Sequence, residues 1–236
     1  MDDLKFFGCG SGFNPTLGST AAYFIEDDTL FLLDCGDGTY RRIWELNLLD
    51  GIKTVNLFIT HTHSDHIGSA GNLMLECKWQ RHIAFNVIIP RSAAHFTDVD
   101  NMLNGFGGKG FQSYIDPENI HNLYDSFSSM CYKKTPHGDC DAAYNLVFYT
   151  KEGAVYYSGD SATMGFAEEL ILSGVKIKAM YFDVTSNPES DCHLPITTLF
   201  SLMPKELRER TYCMHFDNQK CITMAKSMGF NVVEPV

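Results

Sequence analysis

Residues 58–69 read FITHTHSDHIGS, and the order of side chains in this stretch decides the architecture. It follows a strand-like run, residues 56–60, and crowds His61, His63, Asp65 and His66 into one turn. Four polar groups gathered at a strand end need partners once they leave water, and a divalent cation satisfies all of them together. An extended backbone sends His61 and His63 to the same side. The turn that follows can bring Asp65 and His66 round to a second position, an arrangement suited to two adjacent cations. The plain alternative is a chance polar turn, so the assignment rests on what else the chain carries.

The bulk properties narrow the field. The 236 residues are 44% hydrophobic and 20% charged, with a formal net charge of −11. That length supports one large domain with its own core, and residues 1–236 are expected to form it. Affinity for nucleic acid comes mostly from Lys and Arg neutralising phosphates, so no strong nucleic-acid binding is expected of so acidic a chain. The 8 cysteines include no CxxC pair, which argues against a structural zinc knuckle. The start, MDDLKFFGCG, is acidic and lacks the features of a secretion signal, so reduced thiols and a cytoplasmic location are expected. No apolar run reaches membrane-spanning length, and no membrane partner is expected.

Around the histidine stretch, short strands alternate with helices. Strands are expected at residues 4–7, 20–25, 30–34, 56–60, 86–89, 120–125, 130–135, 144–150, 154–157, 179–183, 211–215 and 231–233. Helical spacing marks residues 39–48, 67–79, 92–103, 164–172, 196–203 and 218–228. Residues 105–110, GFGGKG, read as a flexible loop. Two packed sheets with helices outside would cover every apolar face. The glycines of residues 8–12 match no GxGxxG or P-loop pattern and suit a tight turn. His82, His95 and His121 fall in no motif and read as surface or satisfied polar residues.

Three further residues share one format, a metal-competent side chain at a strand end. They are His137 in KKTPHGD, Asp160 in VYYSGDSA and His215 in TYCMHF. Each is weak alone. If the strands lie side by side, all three converge on the rim that carries HTHSDH.

In this order, HTHSDH, His137, SGDS and CMHF resemble the metallo-β-lactamase superfamily over most of the chain. The resemblance implies a four-layer αβ/βα sandwich in the α/β class and a dinuclear metal site. It assigns His61, His63 and His137 to one metal, and Asp65, His66 and His215 to the other, with Asp160 bridging. Zn²⁺ is the first expectation for such nitrogen and oxygen donors, and Mn²⁺ or Fe also suits them.

The opening GCGSGFNPTLGST and the segment YFDVTS…DCHLPITTL are similar to the ribonuclease Z-like phosphodiesterases. That branch has an acidic residue at a strand end and a histidine before a helix, which aids departure of the leaving oxygen. Asp183 and His193 stand at those positions, Asp183 in place of the usual glutamate. Asp65 is the candidate that both holds metal and orients the nucleophile. Transfer-RNA-gripping members carry a protruding arm, whereas only a short hairpin occupies residues 138–159 here. The chain therefore looks closer to the small-substrate members, including anti-Pycsar phosphodiesterases that destroy cyclic-nucleotide signals. This implies hydrolysis of 3′,5′-cyclic mononucleotides through water activated between two metals, in a homodimer, in the host cytoplasm if the source is a phage. The alternatives are transfer-RNA 3′-end cleavage, another hydrolase on the same scaffold, and a catalytically dead binding subunit. Residues 103–114 bring Phe106, Phe111 and Tyr114 among four glycines, and read either as a lid that stacks on a base, in its own site or a partner's, or as a plain mobile loop.

Overall fold

The computed structural model describes residues 3–138 and 140–236. Strand β1 (Lys5–Gly8) pairs antiparallel with β2 (Ala21–Glu26), which forms a hairpin with β3 (Thr29–Leu33). β4 (Thr54–Phe58), β5 (Ala84–Ile88) and β6 (Gln112–Ile115) then add in parallel, completing a six-stranded sheet in chain order. Its crossovers carry α1 (Thr39–Glu45), α2 (Ser64–Ile67), α3 (Ala70–Glu76) and α4 (Phe96–Leu103).

The second six-stranded sheet begins with an antiparallel meander of β7 (Ser129–His137), β8 (Cys140–Thr150) and β9 (Gly153–Tyr157). β10 (Ile177–Asp183), β11 (Thr211–Met214) and β12 (Asn231–Val232) continue it in parallel. Helices α5 (Ala167–Leu172), α6 (Ile196–Leu202) and α7 (Gln219–Ser227) connect them.

The composition of β3 explains the layering. All of Thr29–Leu33 is buried. Alternate residues point to opposite faces of a sheet, so a continuous apolar run is what a strand covered on both faces requires. Leu30 and Leu32 pack with Ile43, Leu73 and Val99 of the outer helices. Phe31 and Leu33 turn the other way, toward the second sheet. There Phe24 stacks on Phe31 at 4.5 Å, and Phe58 meets Phe148 edge-on at 5.3 Å, the contacts favoured by aromatic quadrupoles. On the far face, Leu170, Leu199 and Ala225 bring their helices onto the second sheet. The result is the expected four-layer sandwich.

Strand direction then builds the rim. β8 runs antiparallel to both β7 and β9, so β7, β9, β10 and β11 all point the same way. Their C-terminal ends lie together, and the parallel pair β3 and β4 does the same in the first sheet.

Some expectations differ from the structure. Residues 120–125 are not a strand. Pro117 starts a tight helical turn, Pro117–Ile120, and Asn122 at φ 57 breaks any extension. The edge strand β6 lies where a loop was expected, because four residues including Gln112 and Ser113 carry little apolar alternation. The helix expected over residues 67–79 is divided. Ser69 interrupts it at φ −107, and Cys77–Arg81 forms a wider π-type turn.

Candidate metal centre

The strand ends deliver the predicted side chains to one place. His61, His63, His137 and Asp160 bring donor atoms within 4.8 Å of one another, and so do Asp65, His66, Asp160 and His215. Asp160 belongs to both groups. Its carboxylate lies 3.2 Å from His66 Nε2, 3.4 Å from His215 Nε2, 3.6 Å from His137 Nε2 and 3.8 Å from His61 Nε2.

The donor atoms are aimed inward by hydrogen bonds behind them. His66 donates from Nδ1 to Asp34 Oδ2 at 2.8 Å, which leaves the Nε2 lone pair facing Asp160. Thr60 fixes Asp34 by donating from its backbone N–H to Oδ1 (2.8 Å) and from Oγ1 to Oδ2 (2.9 Å). The same Oγ1 lies 3.2 Å from His61 Nδ1 and can accept its proton. His137 donates from Nδ1 to the Cys192 carbonyl at 2.6 Å. Its Nε2 then sits 3.2 Å from His63 Nδ1, so two imidazole lone pairs converge. Backbone strain contributes as well. Asp34 (φ 65) and His215 (φ 59) are both in the left-handed region, which re-aims a side chain at a strand end.

The cluster fits divalent cations. His61 Nε2, His66 Nε2 and Asp160 Oδ1 are buried with no hydrogen-bond partner. Buried polar atoms are seldom left unpaired without a reason, and a bound ion is one of the few. Charge within the cluster is finely opposed. In the metal-free protein, burial works against charge on His66, yet Asp160 and Asp34 outweigh it and raise its pKa well above the ordinary value, so its Nε2 carries a proton where a cation would otherwise sit. His61 is pushed well below, by burial first and then by the neighbouring His66. Asp65 falls to about 2, because the His215 hydrogen bond and the charge of His66 overcome the cost of burial.

Beside the cluster, His193 donates from Nδ1 to Asp183 Oδ2 at 3.1 Å, so the shorter carboxylate reaches its partner. Asp183 is fully buried and also accepts from Ser158 Oγ (3.1 Å) and the Ser161 backbone N–H (3.0 Å). Burial opposes the imidazolium of His193, but the Asp183 hydrogen bond and the charge of Asp160 raise it to about 9 in the metal-free protein.

The residue that sequence reasoning passed over is Asp34. Its signal was present, as a carboxylate directly after the wholly apolar strand LFLL and therefore bound for burial. Asp34→Asn should lower divalent-metal affinity by about 10- to 100-fold, the usual cost of losing such a partner behind a metal-binding histidine. Chelator competition measures it, and an unchanged affinity would remove Asp34 from this role.

A cavity of about 480 Å³ opens over the cluster, bounded also by Ser11, Phe13, Thr185, Cys192, His193 and Asp217. A second cavity of about 520 Å³, beside Arg41, Arg42 and Val236, shares none of these residues. Residues 103–114 line neither cavity. Phe106 lies against Gly71 of α3, Gly108 against Met74, and Phe111 edge-on to Trp79 at 5.4 Å. This segment is thus packed on the outer helices and is no lid over its own chain's site. Among the other histidines, His95 is buried rather than at the surface. It stacks on Tyr144 at 4.6 Å, and its Nε2 donates to the Ile59 carbonyl at 3.0 Å.

Two sheets between helical layers, with a His/Asp cluster suited to divalent metal on their shared rim, define a protein of the metallo-β-lactamase fold. The metallo-β-lactamase fold protein YhfI of Bacillus subtilis superimposes with a TM-score of 0.73 at 16% identity, over 99% of this chain and 95% of that one. The short form of human tRNase Z gives 0.69 at 15% identity, over 99% and 96%. Within this class the chain belongs to the anti-Pycsar protein Apyc1 family, whose profile matches residues 3–234. Apyc1 of Saccharibacillus brassicae is 22% identical over 229 residues, covering 92% of this chain and 91% of that protein. Ribonuclease Z of Treponema denticola is 37% identical over 95 residues, which span 39% of this chain and 30% of that enzyme. Among the described residues, no helix is long and apolar enough to cross a membrane.

Proposed function

We propose that the protein is a phosphodiesterase for small cyclic nucleotides of the 3′,5′-cyclic mononucleotide type, working with two divalent cations. His61, His63 and His137 would hold one cation and Asp65, His66 and His215 the other, with Asp160 shared. When bound, such a pair lowers the pKa of water and stabilises charge on the phosphoryl oxygens. Asp65, partly open to the cavity, would also orient the attacking water. His193 donates its Nδ1 proton to Asp183, which leaves Nε2 to present a proton to the departing ribose oxygen. Zn²⁺ is the first candidate for the metal, with Mn²⁺ next.

The observation that carries this reading is the His193–Asp183 pair at the edge of the seven-residue cluster, with His193 on the wall of a cavity of about 480 Å³ and Asp183 buried behind it. That volume lies in the range of roughly 300–1,000 Å³ typical of small-molecule sites. Membership of the Apyc1 family supports a nucleotide signal as substrate. The local similarity to ribonuclease Z favours a second reading, cleavage at transfer-RNA 3′ ends. Against it stand the net charge of −11 and the absence of an arm between His137 and Asp160, where β8 and β9 fill the interval.

The purified protein, loaded with Zn²⁺ or Mn²⁺, should hydrolyse a cyclic mononucleotide and leave a precursor transfer RNA uncut. A chelator should abolish the reaction, and added metal should restore it. Faster cleavage of the RNA, or hydrolysis untouched by the chelator, would replace this reading.

A further inference from the structure

Phe13 is fully exposed, at 101% of its reference area, yet it stands on the wall of the cavity that holds the His/Asp cluster. An exposed phenyl ring contributes nothing to the core, so the fold does not account for it. Nor does a floppy loop. The segment that carries Phe13 is tied down on both sides. Gly10 donates to the Gly18 carbonyl at 2.8 Å and Thr20 to the Gly10 carbonyl at 3.2 Å. Ser11 donates to the Phe216 carbonyl at 3.1 Å, and Phe216 donates back to Cys9 at 2.8 Å. The Asn14 side chain bonds the Phe216 and Asp217 carbonyls at 3.3 and 3.4 Å. These are the residues next to His215, so the loop is registered to the cluster itself. On the other flank, a Cβ on Gly12 would lie 2.8 Å from Asp65 Oδ2. A side chain there would push the Asp65 carboxylate aside, so glycine lets the loop lie directly against it, with Phe13 the next residue along the chain.

A solvent-facing aromatic ring on a tied-down loop, at the mouth of the cavity over the His/Asp cluster, is a platform for a flat apolar group. Building on the phosphodiesterase reading above, we propose that Phe13 determines substrate specificity by stacking on the base of a nucleotide whose phosphate lies at the His/Asp cluster. The aromatic segment that looked suited to this task, residues 103–114, is packed elsewhere in its own chain. Stacking tolerates every base because each has a π-face. Phe13 would therefore select nucleosides over base-free diesters without selecting strongly among bases.

The test compares wild type with Phe13→Ala, Phe13→Leu and Phe13→Trp in the metal-loaded protein. The substrates are a 3′,5′-cyclic mononucleotide and the matching base-free cyclic ribose phosphate. Phe13→Ala should raise KM for the nucleotide by about 5- to 150-fold, the range of one base stack, with kcat and metal content unchanged. Its kinetics on the base-free diester should equal those of wild type. Trp should restore the low KM, whereas Leu, apolar without a π-face, should not. Unchanged nucleotide KM in Phe13→Ala overturns the proposal. So does an equal loss on both substrates, or a shift in oligomeric state that accounts for the loss. Failure of the underlying function looks different, because wild type itself would then hydrolyse no nucleotide.

Discussion

On the proposed two-metal phosphodiesterase reading, Asp160→Ala will cut bound divalent metal from about two ions per chain to fewer than one and reduce diester hydrolysis by roughly 10³-fold or more. The expectation follows from where the carboxylate sits. It is buried and lies within 3.8 Å of a ring nitrogen of each of His61, His66, His137, His193 and His215. Asp65, the other carboxylate of the two donor groups, reaches only His66 and His215, while Asp34 and Asp183 each brace a single histidine from behind. Without Asp160, the His61 group has three imidazoles and no anion, a set that gathers positive charge with nothing to offset it. Asp160→Asn separates charge from volume, since the amide fills the same space but cannot bridge two cations. Both variants should therefore lose metal, and Asn should keep the fold more nearly intact. Elemental analysis beside a hydrolysis assay decides the matter. Two ions retained with activity within tenfold of wild type would mean that the cluster is not organised around Asp160.

Why the convergence of His61, His63, Asp65, His66, His137, Asp160 and His215 was readable in advance, and other features were not, has a physical basis. A ligand-type residue at the end of an apolar run is a local pattern, and parallel strands carry their C-terminal ends to one rim whatever the details. HTHSDH after β4, His137 at the end of β7, and His215 after β11 all obey this rule. Asp34 ends an apolar strand too, but its role depends on contacts to Thr60 and His66, which are remote in sequence and are made only when β3 and β4 pair. Phe13 was illegible for another reason. Exposure is a property of the whole surface, and a Phe between Gly12 and Asn14 looks the same in sequence whether buried or not. In residues 103–114 the own-site lid, one of the readings left open, is the one the structure removes. Their glycines suggested freedom, yet Gly108 is small because Met74 lies against it, just as Gly71 gives room to Phe106. Close packing and mobility leave the same compositional mark.

His193→Ala should separate metal binding from chemistry. The side chain is partly open to the cavity, and its hydrogen bond runs to Asp183 rather than into either four-residue group that includes His61 or His66. Its removal should leave metal content intact and lower kcat by about 10²- to 10⁴-fold on a cyclic mononucleotide, the usual contribution of a general acid. The size of the loss should depend on the leaving group. A ribose alkoxide departs poorly unless it is protonated, whereas nitrophenolate leaves without help. With a bis-nitrophenyl phosphate the same variant should fall far less. Asp183→Asn should show the same leaving-group dependence more weakly, since it disturbs the orientation of the ring without removing it. The buried bonds from Ser158 and Ser161 to Asp183 make that variant less stable as well, so melting temperature must be followed beside kcat. An equal loss of activity on both substrates would assign His193 to metal retention or to folding. Wild-type turnover of the cyclic nucleotide would free it of any role in the reaction.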